Sequence, residues 1–229
     1  EAIESGRFVK VPVLNGGTRD ELRLYVGYDV QAGRSYTADN YEETVKALYG
    51  DNAAAVVKQY PLSDFSSAPA ALGSLMSDFR SDLGINHCLF LETARLMSRH
   101  VPVYQWEFAD RQMPVLGVAM PAQPDPGFEL GAVHSAELNA FFPHFSNTKA
   151  ISGPDLSPRS QKMADQMIAT WESFIRTGRP SAKGVPTWKP YSQGATAIRF
   201  EPGRVRPFDP WSDHKCAFWK SVYPDYFAK

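Results

Sequence analysis

The stretch VPVYQWEFA (101–109) alternates Val101, Val103, Gln105 and Glu107 with Tyr104, Trp106 and Phe108. A period of two in β-branched and aromatic residues predicts a strand. Upstream of it, residues 83–98 repeat with a helical period, and Pro69 opens another apolar-periodic segment carrying Leu72, Leu75, Met76 and Phe79. DNAAAVVKQYP (51–61) reads as a short helix stopped by its proline. DNYEETVKALYG (39–50) reads as another, capped by Asp39 or Asn40, acidic in its first turn and closed by Gly50. RFVKVPVLNGG (7–17) reads as a buried strand that stops at Gly16 and Gly17.

Downstream, a loop with Pro114, Pro121, Pro124 and Pro126 leads into GAVHSAELNAFF (131–142). Ser157 caps the longest helix, Pro158 opens it and Gly178 ends it, with Met163, Met167, Trp171, Phe174 and Ile175 on one face. TAIRFE (196–201) supplies a third strand and HKCAFWKSV (214–222) a last helix. Strand, helices, strand, helix is the order of an α/β fold with a mainly parallel sheet. Three strands are few for so many helices, so the sheet is expected to be incomplete.

The 229 residues are 43% hydrophobic and 21% charged with a formal net charge of -1, enough apolar material for a sizeable core. That balance argues against a nucleic-acid partner, and no apolar run reaches the roughly 18 residues of a membrane span. The start, EAIESGRFVK, lacks both a Met and the apolar stretch of a signal peptide, and is expected to lie inside a longer chain. Cys88 and Cys216 form no C-x-x-C, and their count alone predicts two free buried thiols. His87 adjoins Cys88, but no further ligand is spaced to join them, so neither a metal nor a cofactor is expected.

NGGTRDEL (15–22) places Asp20 and Glu21 just past the first strand. His134 follows the second, beyond the proline-rich loop. Open α/β sheets bind ligands at the carboxyl ends of their strands, so an acid and a histidine there are candidates for chemistry. In α/β-hydrolases a triad runs along the chain as nucleophile, acid and base. Glu21 and His134 fit the last two roles. A carboxylate on the imidazole Nδ1 fixes the tautomer and stabilises the imidazolium formed when Nε2 takes a serine proton.

VPVLNGGTRDE (11–21), PVYQWEFAD (102–110), GFELGAVHSAEL (127–138), MIATWESFIRTGRPS (167–181), TWKPY (187–191) and HKCAFW (214–219) occur in this order. In order and spacing they resemble type-B carboxylesterases, the family of para-nitrobenzyl esterases and cholinesterases. The resemblance runs from about residue 6 to 222. The family's G-x-x-x-x-E falls on Gly16 to Glu21, which implies Glu21 rather than Asp20 as the acid. Its GA-x-H-x-x-EL falls on Gly131 to Leu138, which implies His134 as the base. It also implies a disulfide between Cys88 and Cys216, and with it an oxidising, secreted or extracytoplasmic setting.

No G-x-S-x-G is present among the 229 residues, and the family's oxyanion-hole glycines lie upstream. The resemblance therefore implies residues 1–229 as the C-terminal portion of one α/β-hydrolase domain. Its small-molecule ester would be attacked by a nucleophile from the N-terminal half of the same enzyme. In cholinesterases the third and fourth residues past the acid are aromatic and line the gorge; here they are Leu24 and Tyr25. With one aromatic lost, quaternary ammonium esters are not expected. Leu24, Tyr25 and Phe128 are instead the expected wall of an apolar pocket, although Leu24 and Tyr25 fit packing of a helix turn equally well. The competing reading is a cholinesterase-like binding or adhesion domain that has lost its nucleophile. His144, in FFPHF, is expected to pack among aromatics, and Glu137 to brace the loop of His134.

Overall fold

A computed structural model describes residues 2–115, 125–142, 144–145, 155–191 and 196–227. Four strands lie side by side in chain order: β1 (Val13–Thr18), β2 (Val103–Phe108), β3 (Ala197–Phe200) and β4 (Arg206–Phe208). β1, β2 and β3 are parallel, and β4 returns antiparallel to β3. The mainly parallel sheet expected from the element order is present. β4 was not legible because three residues around Pro207 carry no periodic signal.

β1 is shorter and later than its apolar pattern suggests. Val9 and Val11 are exposed, and pairing starts only where Val13 N–H donates to the Pro102 carbonyl. Pro12, just before, has no N–H to give. The strand then runs through Gly16 and Gly17 instead of stopping there. Gly16 faces Trp106 in the register, and a Cβ on it would collide with the Trp106 carbonyl and indole. A Cβ on Gly17 would sit 3.0 Å from the Phe90 ring. The two glycines admit close neighbours on both faces.

Alternation along β2 separates two cores. Val103 joins the first with Phe79, Tyr49, Tyr60 and Trp219, whereas Tyr104 and Phe108 join the second with Met163, Met167, Trp188 and Phe200. The first core is roofed by α2 (Tyr41–Tyr49), α3 (Ala53–Gln59), α4 (Ala68–Asp78), α5 (His87–Met97) and α9 (Cys216–Val222). The second is covered by α7 (Pro158–Thr177). Local signals decide where these helices end. The Ser157 hydroxyl accepts from Ser160 N–H, Pro158 sits at the first turn, and Gly178 closes α7 with φ 71°. Ile175 departs from the expected apolar face and is 80% exposed.

The remaining helices are α1 (Arg23–Gln31), directly behind the acid loop and packed on α4, the one-turn α6 (Leu138–Phe141) packed on α7, and α8 (Pro210–Asp213). Among the described residues no helix is long and apolar enough to cross a membrane. Cys88 and Cys216 form a disulfide, with Cα atoms 5.3 Å apart, that ties α5 to α9. The free thiols suggested by count alone are therefore excluded, and the bridge implied by the family resemblance is present.

Candidate active site

Where β1 ends, Thr18 turns the chain into the loop of Asp20 and Glu21. Glu21 is nearly buried, and its two carboxylate oxygens divide their work. Oε2 accepts from the Thr18 N–H at 3.1 Å and from the Thr18 hydroxyl, while Oε1 meets Nδ1 of His134. The two residues singled out from opposite halves of the chain are thus hydrogen-bonded. Main chain reinforces them, since His134 N–H donates to the Glu21 carbonyl at 3.2 Å.

The imidazole is 39% exposed on its open side. Its hydrogen bond to Glu21 raises the pKa of His134 above the ordinary histidine value, overcoming the opposing effect of burial. Nδ1 is occupied by the carboxylate, so Nε2 is the nitrogen left to exchange a proton.

Tyr25 stands beside His134, with ring centroids 6.0 Å apart. Burial, and then the Glu21 charge, raise its phenol pKa. Leu24 turns the other way and packs in the second core with Tyr104 and Phe108. Phe128 is half-buried and lines a cleft of about 390 Å³ with Arg111, Gln112, Val115 and Gly131. The structure therefore brings Tyr25 beside His134, sets Phe128 in a cleft lined by neither Glu21 nor His134, and buries Leu24 in the second core. Glu137 does not brace the loop through its buried Oε2, which has no hydrogen-bond partner, and burial raises its pKa. His144, expected to pack among aromatics, is exposed and lies 3.8 Å from Asp155.

Two features escaped sequence reading. Asp20, taken only as the neighbour of the acid, is buried and holds Arg111 through paired hydrogen bonds of 2.9 and 2.8 Å. Below the acid loop lies a second ionic cluster. His214 is flanked by Asp78 and Glu107, each 2.5 Å from one of its ring nitrogens. Glu107 also accepts from Arg199 at 2.5 Å, and Arg199 reaches Asp213 at 2.6 Å. Burial alone would lower the His214 pKa, but the two carboxylates outweigh it and push it up to about 9. Nothing local in the sequence announces this cluster, since its members come from β2, β3, α4 and the C-terminal end of α8.

The same cluster corrects the reading of His87, which gains the neighbours that its sequence spacing did not provide. His87, Glu107 and His214 bring donor atoms within 4.8 Å of one another. Yet the two rings are stacked 3.7 Å apart at 8°, so their lone pairs run in parallel planes and cannot converge on one ion. Both His214 nitrogens are also engaged by carboxylates. The arrangement suits a shared proton better than a metal.

Residues 1–219 match the carboxylesterase family. The chain is 25% identical over 205 residues to the fumonisin B1 esterase of Sphingopyxis macrogoltabida, covering 87% of this chain and 34% of that protein. It is 24% identical to the human cocaine esterase, over 58% of this chain and 22% of that one. Carboxylesterase 3 of Pongo abelii is 24% identical over 64% of this chain and 25% of its own length. The chain thus spans about a third or less of the length of these relatives. With a four-stranded mixed sheet flanked by helices and a match along nearly its whole length, this chain belongs to the carboxylesterase family.

Proposed function

We propose that this chain supplies the acid and base of a serine carboxylesterase, and that residues 1–229 are the C-terminal portion of its single α/β-hydrolase domain. The observation that carries this is the Glu21–His134 hydrogen bond at the carboxyl ends of the strands, with Nε2 left free. His134 takes the proton of a serine hydroxyl as that oxygen attacks the ester carbonyl, and then returns it to the leaving alcohol. Glu21 holds the tautomer and stabilises the imidazolium between those steps. The serine and the oxyanion donors come from the N-terminal half of the same enzyme. Tyr25 and Phe128, backed by Leu24, form the apolar side of the ester pocket. The buried disulfide supports a secreted or extracytoplasmic location.

The test is hydrolysis of p-nitrophenyl esters. These 229 residues alone should turn over at solvent background, because nucleophile and oxyanion hole supply most transition-state stabilisation in acyl transfer. The full-length polypeptide that carries them should be active. There His134→Ala should lower kcat by about 10⁴-fold or more, and Glu21→Gln by roughly 10³ to 10⁴-fold. Robust hydrolysis by the 229 residues that ignores His134→Ala would refute the assignment. An intact dyad in a full-length polypeptide with no serine placed to attack would favour the binding-domain reading.

A further inference from the structure

Asp20 is 2% exposed and carries more partners than its place beside the acid requires. Its Oδ2 accepts from Arg111 Nε at 2.9 Å and from Ala132 N–H at 3.0 Å, and its Oδ1 accepts from Arg111 Nη2 at 2.8 Å. Its own N–H donates to the Ala132 carbonyl at 2.9 Å. Arg23 Nε lies a further 3.5 Å from Oδ1. One side chain thereby joins three segments: the acid loop after β1, the Arg111 turn after β2, and the loop of residues 131–134 that delivers the base.

That last loop needs holding. Gly131 has φ 74°, and Ser135, directly after the base, has φ 69° without being glycine. Such backbone persists only where its surroundings over-determine it. Three bonds across the gap do so: Asp20 N–H to Ala132, Ala132 N–H to Asp20, and His134 N–H to Glu21. Asp20 makes two of them. Gly131 is needed for the same contact, because a Cβ there would overlap the Asp20 carboxylate. Arg111 and Arg23 neutralise Asp20, so the lock adds no uncompensated charge next to Glu21.

We propose that Asp20 is a positioning residue for the reaction, locking the loop of the base to the loop of the acid so that Glu21 and His134 stay in register. The proposal rests on the dyad assigned above. It extends that reading by giving the neighbouring carboxylate a task distinct from that of Glu21. Asp20 touches neither the His134 ring nor the space in front of it, and it acts through Ala132 and the backbone.

The experiment follows the His134 ring protons by NMR through a pH titration of this protein, with His134→Gln assigning the resonance. Glu21→Gln first tests the dyad, and should lower the His134 pKa by roughly one pH unit or more. Asp20→Ala leaves every group that faces the imidazole in place, namely Glu21, Glu137 and Tyr25, yet should bring the His134 pKa most of the way down to that of Glu21→Gln. Asp20→Asn keeps one acceptor oxygen but turns an amide towards either Arg111 or Ala132, and should fall between Asp20→Ala and wild type. A His134 pKa equal to wild type in either folded Asp20 variant, alongside a fall in Glu21→Gln, overturns the positioning role and leaves the dyad standing. No fall in Glu21→Gln overturns the dyad itself. Should Asp20→Ala fail to fold, Asp20→Asn decides by the same criterion.

Discussion

At the scale of single residues, the proposed function makes His134 the group through which activity answers to pH. A histidine general base works as neutral imidazole, and the hydrogen bond to Glu21 raises the pKa of His134. On the proposed reading, kcat/KM of a polypeptide that adds the serine half should therefore climb with pH through a midpoint above the roughly 6.5 of a free histidine. Glu21→Gln should shift that midpoint down while lowering the plateau, and a profile flat from pH 5 to 9 would rule out His134 as the base. The pairing of Glu21 with His134 was legible beforehand because both sit in motifs whose glycines have structural work. Gly16 clears Trp106, and Gly131 clears Asp20. Asp20 itself was passed over, since a carboxylate beside a carboxylate looks solvated until Arg111 and Ala132 are seen on it.

Among the elements, the disulfide between α5 and α9 makes a large contribution to stability. The bridge spans 128 residues, and closing so long a loop in the unfolded chain contributes about 5 kcal/mol in the chain-entropy account. A Cys88→Ser, Cys216→Ser pair should lower the free energy of unfolding by about that much, read as a shift in the urea midpoint. A loss under about 1 kcal/mol would mean that the aromatic packing of Trp219 against Phe79 holds α9 alone. Helices with clear start or stop signals were readable to within a residue or two: Ser157 and Gly178 bound α7, and acids in its first turn and Gly50 at its end mark α2. α1 was missed because it begins at Arg23 with no side-chain cap and hardly any amphipathic pattern. β4 exists only by pairing with β3, a contact that no local pattern encodes.

For the whole molecule, two cores and a buried ionic cluster determine how stability varies with pH. His214 carries a folded pKa of about 9, above that of an unfolded histidine. Its contribution is complete below about pH 6.5 and is lost as pH rises through 9, on the order of 3 kcal/mol in all. Glu107 behaves oppositely. Burial would raise its pKa, but His214, His87 and Arg199 hold it well below the carboxylate range, so its contribution is lost on strong acidification. Thermal unfolding temperature should decline from pH 6.5 to 9.5 in wild type, with the decline largely absent in His214→Gln. A wild-type curve flat across that window would contradict the cluster as described. The disulfide also has a consequence in time. At about 5–20 residues per second, a ribosome needs roughly 6–25 s to travel the 128 residues between its two cysteines. Cys88 emerges long before its mate exists, and so do Phe79 and Tyr60, which wait for the indole of Trp219. During that interval the nascent chain presents a reactive thiol and an unroofed aromatic surface, so its yield in a cell will depend on chaperones and thiol oxidases that can guard an unfinished chain.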